Sequence, residues 1–429
     1  MAAHASASLS PVPCKNLTTL RALKDNLQTV SNPRTGDVME YLVIGDGAAS
    51  ADDLIVMFNG TGGVLADWPV QMLTNTKDSP RIRSTGMYSP AEDGDISLCH
   101  NYHIVLFDYP GVGKSPLAGS PSLDQISNDV DAMLNDAGSR YGIPTSKIDP
   151  IGWSLGSLTA IKFAFLSSAA HPDRIIHSLI LIATKPGGNT DGFQDGNGSA
   201  CVTTLFQELK SPSNEAVKID AEKTLNQLLF PYTGQQQYDG VDSGCTATIG
   251  KTSVSLNVKT NCPRSSTCEK NMRDESLNRL TSPWSKTKGV SHELYLLQRE
   301  LVNDWNLCYC PKASSAFTSL GCSCSGSVAM TSANGGMCQT TSHPVNLPAS
   351  TNCAAFNFTG QLKIINGPED LFIQHTYGKA LAEGYQQLYG KNRVILSTYD
   401  GKDGANHGIL IQHPRWTQQQ IDASIRGAQ

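Results

Sequence analysis

A serine between two glycines is the feature of this chain that most directly suggests chemistry. It lies in Gly152-Trp153-Ser154-Leu155-Gly156, after an apolar stretch at residues 147–151 that predicts a buried strand and before a largely apolar helical segment at 157–170. A sharp strand-to-helix turn of this kind holds its central residue in a strained, left-handed backbone conformation and needs small flanking residues. In a chain with 38 glycines, an ordinary tight turn is the alternative. The context favours Ser154 as a nucleophile.

Continuous apolar runs elsewhere predict the strands that would position this serine. Such runs are typical of strands buried on both faces, as in a parallel sheet. They are Leu54–Phe58, Tyr102–Phe107, Ile175–Ala183, Leu362–Ile365 and Arg393–Ser397, and helical segments such as Ser122–Tyr141 and Thr376–Tyr389 alternate with them. Alternation implies crossover connections. We therefore predict an α/β protein with a doubly wound, mostly parallel sheet and ligands at the carboxyl ends of its strands.

This ordered set of motifs resembles the α/β-hydrolases over about residues 38–188 and 360–429. The resemblance implies an acid after the seventh strand and a histidine after the last. Those positions hold Asp370, in Asn366-Gly367-Pro368-Glu369-Asp370, and His407, in Gly404-Ala405-Asn406-His407-Gly408. The chain order Ser, Asp, His is the one expected for this fold. The resemblance therefore implies a catalytic triad of Ser154, Asp370 and His407.

The chemistry asks for the same residue types. A serine hydroxyl needs a base with a pKa near 7, which imidazole supplies, and a carboxylate on the other ring nitrogen fixes the productive tautomer. Glu369, Asp400 and Asp403 lie near Asp370 or His407 in sequence and leave the acid open, as does simple turn chemistry for Asp370. We expect surface or packing roles for the histidines without such context, which are His100, His103, His171, His177, His292 and His413.

An oxyanion also needs donors, and backbone amides supply them without reorganisation. We predict the amides of Leu155 and Thr61 as these donors, and Gly60 and Trp153 as substrate-binding residues. Many α/β-hydrolases begin the loop with His-Gly, and proline iminopeptidases typically have His-Gly-Gly-Pro-Gly, whereas this chain has Asn59-Gly60. Proline iminopeptidases are therefore the more distant match. The glycines could instead form only a tight turn.

The segment 108–115 ends in Gly113-Lys114-Ser115 and so invites a phosphate-loop interpretation. That interpretation fails because a phosphate loop has a glycine five residues before Gly113, where this chain has Asp108. The segment resembles the loop after the fourth strand of α/β-hydrolases, which shapes the floor of the site. We assign it no catalytic role and predict no cofactor.

The chain of 429 residues is long enough for an insertion in a hydrolase-like core. We place the catalytic core at 1–188 and 360–429, and a cap domain at 189–359, with helices at Ala216–Phe230 and Ser291–Trp305. The apolar stripe of the second helix is more typical of cap core than of a substrate wall. Its acidic neighbours, Glu293, Glu300 and Asp304, fit a solvated edge, although an aminopeptidase could use them to hold a substrate amine.

Ten of the twelve cysteines lie in the predicted cap, where apolar residues are sparse. We expect disulfides, since these compensate for a thin core. The alternative is a zinc site at Cys308, Cys310, Cys322 and Cys324, whose one-residue spacings are narrower than usual. The full set is Cys14, Cys99, Cys201, Cys245, Cys262, Cys268, Cys308, Cys310, Cys322, Cys324, Cys338 and Cys353. We therefore predict no metal.

Disulfides imply an oxidising compartment, so we expect a secreted glycoprotein, although residues 1–10 have no apolar signal region. Sequons occur at Asn16, Asn59, Asn197 and Asn357, and the one at Asn59 is expected to be unused because a glycan would block the site. A net charge of −5 gives no reason to expect nucleic acid or an anionic membrane as partner, and no apolar run is long enough to span a bilayer.

Together these features predict a capped serine hydrolase that cleaves a carboxylic ester or lactone of a small acyl substrate through an acyl-enzyme. A serine aminopeptidase is the first alternative. A catalytically silent receptor or adhesion module with the same fold is the second. The substrate and the oligomeric state do not follow from the sequence, because specificity in such a protein depends on the cap.

Overall fold

The computed structural model describes residues 9–46, 53–60, 63–81, 94–113, 115, 123–184, 359–370, 373, 375–401 and 404–427, with the backbone of a hairpin at 245–249 and 252–256. Most of the predicted cap lies outside these residues, including both helices expected there. The predicted oxyanion donor Thr61 also lies outside them. In the described ranges, no helix combines the length and the apolar character needed to cross a membrane.

The described strands form one large sheet and a separate hairpin. The sheet contains β1 (Gln28–Ser31), β2 (Val38–Ile44), β3 (Leu54–Phe58), β4 (His103–Asp108), β5 (Lys147–Trp153), β6 (Ile175–Ile176), β7 (Leu179–Ile182), β10 (Leu362–Asn366) and β11 (Val394–Thr398). The hairpin pairs β8 (Cys245–Ile249) with β9 (Thr252–Leu256). Because the predicted runs reappear as neighbouring strands, the α/β prediction is confirmed.

The sheet runs β1-β2-β4-β3-β5-β7-β10-β11, with β6 beside β5. The β1–β2 and β2–β4 pairs are antiparallel, and the other pairs are parallel. The strand order departs from the order in sequence where β2 lies beside β4 and β3 lies beside β5. The carboxyl ends of β3, β4, β5, β7, β10 and β11 therefore meet at one edge, as expected for a doubly wound sheet.

Seven α-helices lie among the described residues. They are α1 (Val70–Leu73), α2 (Leu98–Asn101), α3 (Leu123–Tyr141), α4 (Leu155–Ala170), α5 (His375–Tyr389), α6 (Ile409–Gln412) and α7 (Pro414–Gly427). Helix α4 contacts β3, β5 and β7 and also packs against α3, while α5 contacts β10 and β11. Helix α4 thus anchors the middle of the sheet directly behind the predicted nucleophile.

The apolar run Ile175–Ala183, predicted as one strand, forms the two short strands β6 and β7. Between them, Ser178 N donates to Asp149 Oδ1 (2.8 Å), and His177 Nδ1 lies 3.0 Å from the same oxygen. The buried carboxylate thus replaces ladder bonds at this point. Pro150 lies in the part of β5 opposite the break, where its missing N–H interrupts no ladder on that side.

Candidate active site

The predicted nucleophile, Ser154, lies in a strained turn between β5 and α4. Ser154 has φ 56° and ψ −119°, and its N–H donates to the carbonyl of Ile182 (2.8 Å). The positive φ was predicted, but this ψ lies outside the left-handed helical basin. Non-glycine residues persist in such conformations only where the surroundings enforce them, and they cluster at functional sites. The turn therefore presents Ser154 at the carboxyl edge of the sheet.

The glycines on either side of Ser154 are required by close backbone approach. A Cβ on Gly152 would overlap the carbonyl of Gly156, and a Cβ on Gly156 would overlap the carbonyl of Phe58. Ser157 fixes the same turn, since its Oγ donates to Gly152 O (2.7 Å) and accepts from Ile182 N (3.1 Å). Strand and helix can meet at this distance only without side chains at both glycine positions.

An aspartate and a histidine from the last two strands form a buried pair. Asp370 follows β10 and His407 follows β11, and His407 Nδ1 lies 2.8 Å from Asp370 Oδ2. The other carboxylate oxygen accepts from Ile373 N (2.8 Å). Both residues are at most 5% exposed. Of the alternative acids, Asp400 is exposed and Asp403 lies outside the described residues.

The loop that carries His407 is braced from several directions. Asn406 N donates to Gln412 Oε1 (2.8 Å), and Gly408 N donates to Asn406 Oδ1 (2.9 Å). His413 Nε2 lies 2.6 Å from Gly404 O, and its ring stacks on Tyr399 with centroids 3.9 Å apart. The packing role expected for His413 is therefore a specific support for this loop. Gln412 was not predicted, because nothing in sequence marks a glutamine as a loop brace.

The two loops after β10 and β11 also touch through their backbones. Glu369 N donates to Ala405 O (2.9 Å). A Cβ on Gly367 would lie 2.6 Å from the carbonyl oxygens of Ala405 and Asn406, so a side chain cannot fit there. The acid loop and the histidine loop are consequently held as one unit, which keeps the Asp370 carboxylate on the imidazole.

The amide of Leu155 opens helix α4, whose first N–H groups have no acceptor within the helix. The positive end of the helix dipole lies at the same point. Leu155 is buried, directly after Ser154. This placement suits a donor to an oxyanion forming at Ser154, and the partner amide of Thr61 stays a prediction.

Asn59 replaces the histidine that many α/β-hydrolases carry before the same glycine, and its side chain is buried. Its Nδ2 donates to Phe107 O (2.6 Å), and its Oδ1 accepts from Trp68 Nε1 (2.5 Å). Gly60 follows and lies close to the Ser154 turn, since a Cβ on Gly60 would be only 3.3 Å from the Cβ of Ser154. Since Asn59 is 1% exposed and its amide nitrogen is engaged, a glycan could be attached there only by breaking this packing.

The end of β4 holds the other side of that loop. Asp108 Oδ1 accepts from Leu65 N (2.5 Å), and Asp67 Oδ2 accepts from Val64 N (2.9 Å). Burial raises the pKa of Asp108 to about 8; the Leu65 hydrogen bond opposes this shift, and the charges of Asp67 and Glu40 add to it. A Cβ on Gly113 would overlap the Asp108 carboxylate, which explains the glycine of this segment.

A second acidic and histidine cluster lies at the opposite edge of the sheet. Asp53, Asp149 and His177 have ligand atoms within 4.8 Å of one another, but Lys147 Nζ already lies 2.7 Å from Asp53 Oδ1. Burial opposes protonation of His177, yet the hydrogen bond and charge of Asp149 outweigh it and raise the His177 pKa. Lys147 and His177 thus face two buried aspartates, and we interpret the cluster as a network of polar and ionic contacts.

The strained Ser154 turn, the Asp370–His407 pair and the strand order define a protein with the α/β-hydrolase fold. Solved structures agree: an esterase from Rhodococcus sp. ECU1013 has a TM-score of 0.50 at 13% identity, covering 94% of this chain and 100% of that one. A thermophilic esterase from Thermogutta terrifontis gives the same TM-score and identity, covering 94% and 98%. At this identity the likeness shows the fold alone.

Sequence comparison gives a shorter match. No protein-family model matches the chain. The pimeloyl-[acyl-carrier protein] methyl ester esterase of Aeromonas hydrophila subsp. hydrophila is 37% identical over 92 residues, which are 21% of this chain. The match spans only 30% of the length of that relative. This local match is a similarity in sequence, in addition to the similarity in fold.

Proposed function

We propose that this protein is a serine hydrolase that cleaves a carboxylic ester or a lactone through an acyl-enzyme. The observation that carries the proposal is the buried Asp370–His407 pair, 2.8 Å apart, at the sheet edge where the strained Ser154 emerges. The methyl ester esterase that matches over 92 residues supports an ester as the substrate bond. A secreted location stays part of the proposal and is supported by the buried Cys14–Cys99 disulfide.

The first chemical step follows from the residue types. His407 Nε2 would accept the Ser154 proton as Oγ attacks the acyl carbon, and Asp370 would stabilise the imidazolium through Nδ1. The amides of Leu155 and Thr61 would bind the oxyanion of the tetrahedral intermediate. When this intermediate collapses, the alcohol leaves with the proton from His407, and the acyl group remains on Ser154.

The second step returns the enzyme to its starting state. Water attacks the acyl-enzyme, His407 accepts a proton from it, and the same two amides bind the second oxyanion. The acid leaves when the Ser154–acyl bond breaks and His407 returns its proton to Oγ. A lactone would follow the same sequence, except that its alcohol stays attached to the released acid.

The test is a Ser154→Ala variant assayed on p-nitrophenyl esters of increasing acyl length and on aminoacyl-anilides. Turnover should fall by about 10⁴-fold or more, while the fold is kept because alanine fits the turn. Ser168→Ala is the matched control, since its hydroxyl bonds to Ala164 O within α4 and should leave turnover unchanged. More than about a tenth of wild-type activity in Ser154→Ala would refute the proposal.

The same experiment separates the alternatives. A fluorophosphonate probe should attach to Ser154, located by mass mapping of the labelled peptide, and should fail to label Ser154→Ala. Preference for aminoacyl-anilides over all esters would identify a serine aminopeptidase instead. A wild-type protein that neither reacts with the probe nor turns over any of these substrates would fit a binding module.

A further inference from the structure

Trp153 joins the nucleophile turn to the histidine loop. Its indole Nε1 donates to the backbone carbonyl of His407 (2.9 Å), across 254 positions of sequence. The two rings lie 6.0 Å apart at an angle of 38°. The indole also lies close to Gly60, since a Cβ there would be 3.2 Å from Trp153 Cε3. The indole is 4% exposed and fills the space between three segments of the site.

The braces of the histidine loop described above lie within the carboxyl-terminal part of the chain. Gln412 and His413 tie the loop to the region of α6, and the Glu369 amide ties it to the acid loop. These contacts position His407 relative to Asp370. The Trp153 hydrogen bond is different, because it starts on the residue covalently attached to Ser154.

We propose that Trp153 is a positioning residue that sets His407 against Ser154, and this inference rests on the proposed serine hydrolase function. Proton transfer from Ser154 Oγ to His407 depends on geometry, and a displacement of about 1 Å can lower a rate about 100-fold. A buried N–H left without its acceptor is costly, so the bond strongly favours one loop position. This role differs from the substrate-binding role predicted from sequence, which would place the indole against the acyl group.

The sharpest test replaces only the donor. Incorporation of 3-benzothienylalanine at position 153 puts sulfur where the indole has N–H and keeps the size of the ring. We expect kcat to fall about tenfold to 100-fold, by the same factor for short and long acyl esters. KM should stay within about twofold of the wild-type value. In Trp153→Phe, a genetically encoded variant, kcat should fall by at least the same factor.

A second readout does not require turnover. A histidine Nδ1–H donated to a buried carboxylate gives a far-downfield ¹H resonance, assigned here by its loss in Asp370→Asn. In the benzothienyl protein this resonance should shift or broaden, because the loop loses its tie to the turn. Thermal unfolding confirms that both substituted proteins are folded, and the near-isosteric ring keeps the test valid if Trp153→Phe does not fold.

The outcomes are distinct. A benzothienyl protein with kcat within about twofold of wild type and an unchanged resonance would overturn the positioning role. If kcat is unchanged and KM of the benzothienyl protein exceeds the wild-type KM by a factor that grows with acyl length, Trp153 contacts the substrate and the positioning role is overturned. If the wild type shows no Ser154-dependent turnover, the proposed function fails, and the resonance alone then decides whether Trp153 positions His407.

Discussion

Among single residues, Asp370 differs from the neighbouring acids by what it contacts. Its two carboxylate oxygens face His407 Nδ1 and Ile373 N, so it can orient the ring while itself held in place. Glu369 contributes its backbone amide to the adjacent loop. The acid that orients the imidazole is therefore expected to be Asp370, although the sequence left Glu369, Asp400 and Asp403 as alternatives.

Asp370→Asn should lower kcat by about 10³- to 10⁴-fold, because an amide no longer favours the productive tautomer of His407. Glu369→Gln is the matched control and should have a mild effect. Both are measured as kcat and KM on the best p-nitrophenyl ester, with unfolding curves to show that the fold is kept. A larger loss in Glu369→Gln than in Asp370→Asn would place the acid one residue earlier.

Asn59 is the position where this chain departs from the α/β-hydrolase pattern that it resembles. The resemblance suggests histidine there, and sequence offers no reason for asparagine. The structure supplies one, because an amide can donate to Phe107 O and accept from Trp68 Nε1 at the same time. A neutral imidazole also has one donor and one acceptor, but with different reach, so neighbouring side chains decide which residue fits.

At the scale of elements, the carboxyl end of β4 holds both sides of the loop expected to carry the second oxyanion donor. Phe107 O receives the Asn59 side chain at the start of that loop, and Asp108 Oδ1 receives Leu65 N near its end. Arg21 Nη2 donates to Asp67 Oδ1 (2.7 Å) and braces the following turn. Asp108 of the segment 108–115 thus helps to hold this loop, and the role of the whole segment in shaping the site stays a prediction.

Asp108 gives this element a pH dependence whose sign can be worked out. Its pKa is about 8 in the folded protein and near 3.8 in the unfolded chain, so the folded state binds the extra proton between these values. The free energy of unfolding contributed by this group therefore falls as pH rises from about 4 to 8. Asp67, Glu40 and Arg21 are the charged groups that face it.

Asp108→Asn should remove that pH dependence. The variant keeps an acceptor for Leu65 N and carries no charge, so it should be more stable than wild type at pH 8 and closer to it at pH 5. Urea unfolding at both pH values measures the difference. Asp108→Ala is the comparison, since it loses the acceptor and should be less stable than Asp108→Asn at both. A wild-type advantage that grows toward pH 8 would contradict the assigned direction.

The sequence predicts elements well where burial on both faces leaves a continuous apolar run, as in β3 and β4. It does not predict β1, whose four residues alternate between intermediate and exposed positions at the sheet edge. The break between β6 and β7 is also missed, because it depends on Asp149, which lies on another strand. For the site, chain order predicts residue types, but contacts such as Trp153 with His407 emerge only when distant segments meet.

At the scale of the whole molecule, the twelve cysteines fall into two sets. Cys14 and Cys99 form a disulfide between the amino-terminal segment and α2, with both residues fully buried in the core and 85 positions apart. The strands of the large sheet contain no cysteine. The other ten cysteines lie in segment 189–359, where their pairing stays a prediction. The disulfides predicted for segment 189–359 are thus accompanied by one between Cys14 and Cys99, outside that segment.

The two sets of cysteines should respond differently to reductant. Because Cys14 and Cys99 are inaccessible in the folded protein, mild reduction should expose thiols in segment 189–359 first, and selectivity among acyl lengths should change before the sheet unfolds. Alkylation followed by peptide mass mapping identifies which cysteines react at each reductant concentration, and ester assays run on the same samples. Without reductant, few of the twelve cysteines should alkylate in denaturant.

A Cys14→Ala, Cys99→Ala double variant is the matched control, since it removes only the core disulfide. It should unfold about 2 to 4 kcal/mol more easily, because the cross-link no longer restricts the unfolded chain, while its acyl-length selectivity stays that of wild type. Its selectivity should still change under mild reduction, as in the wild type. If Cys14 and Cys99 react before the others, burial does not protect them. If a chelator inactivates the protein and zinc restores it, segment 189–359 binds metal through thiolates, and secretion loses much of its support.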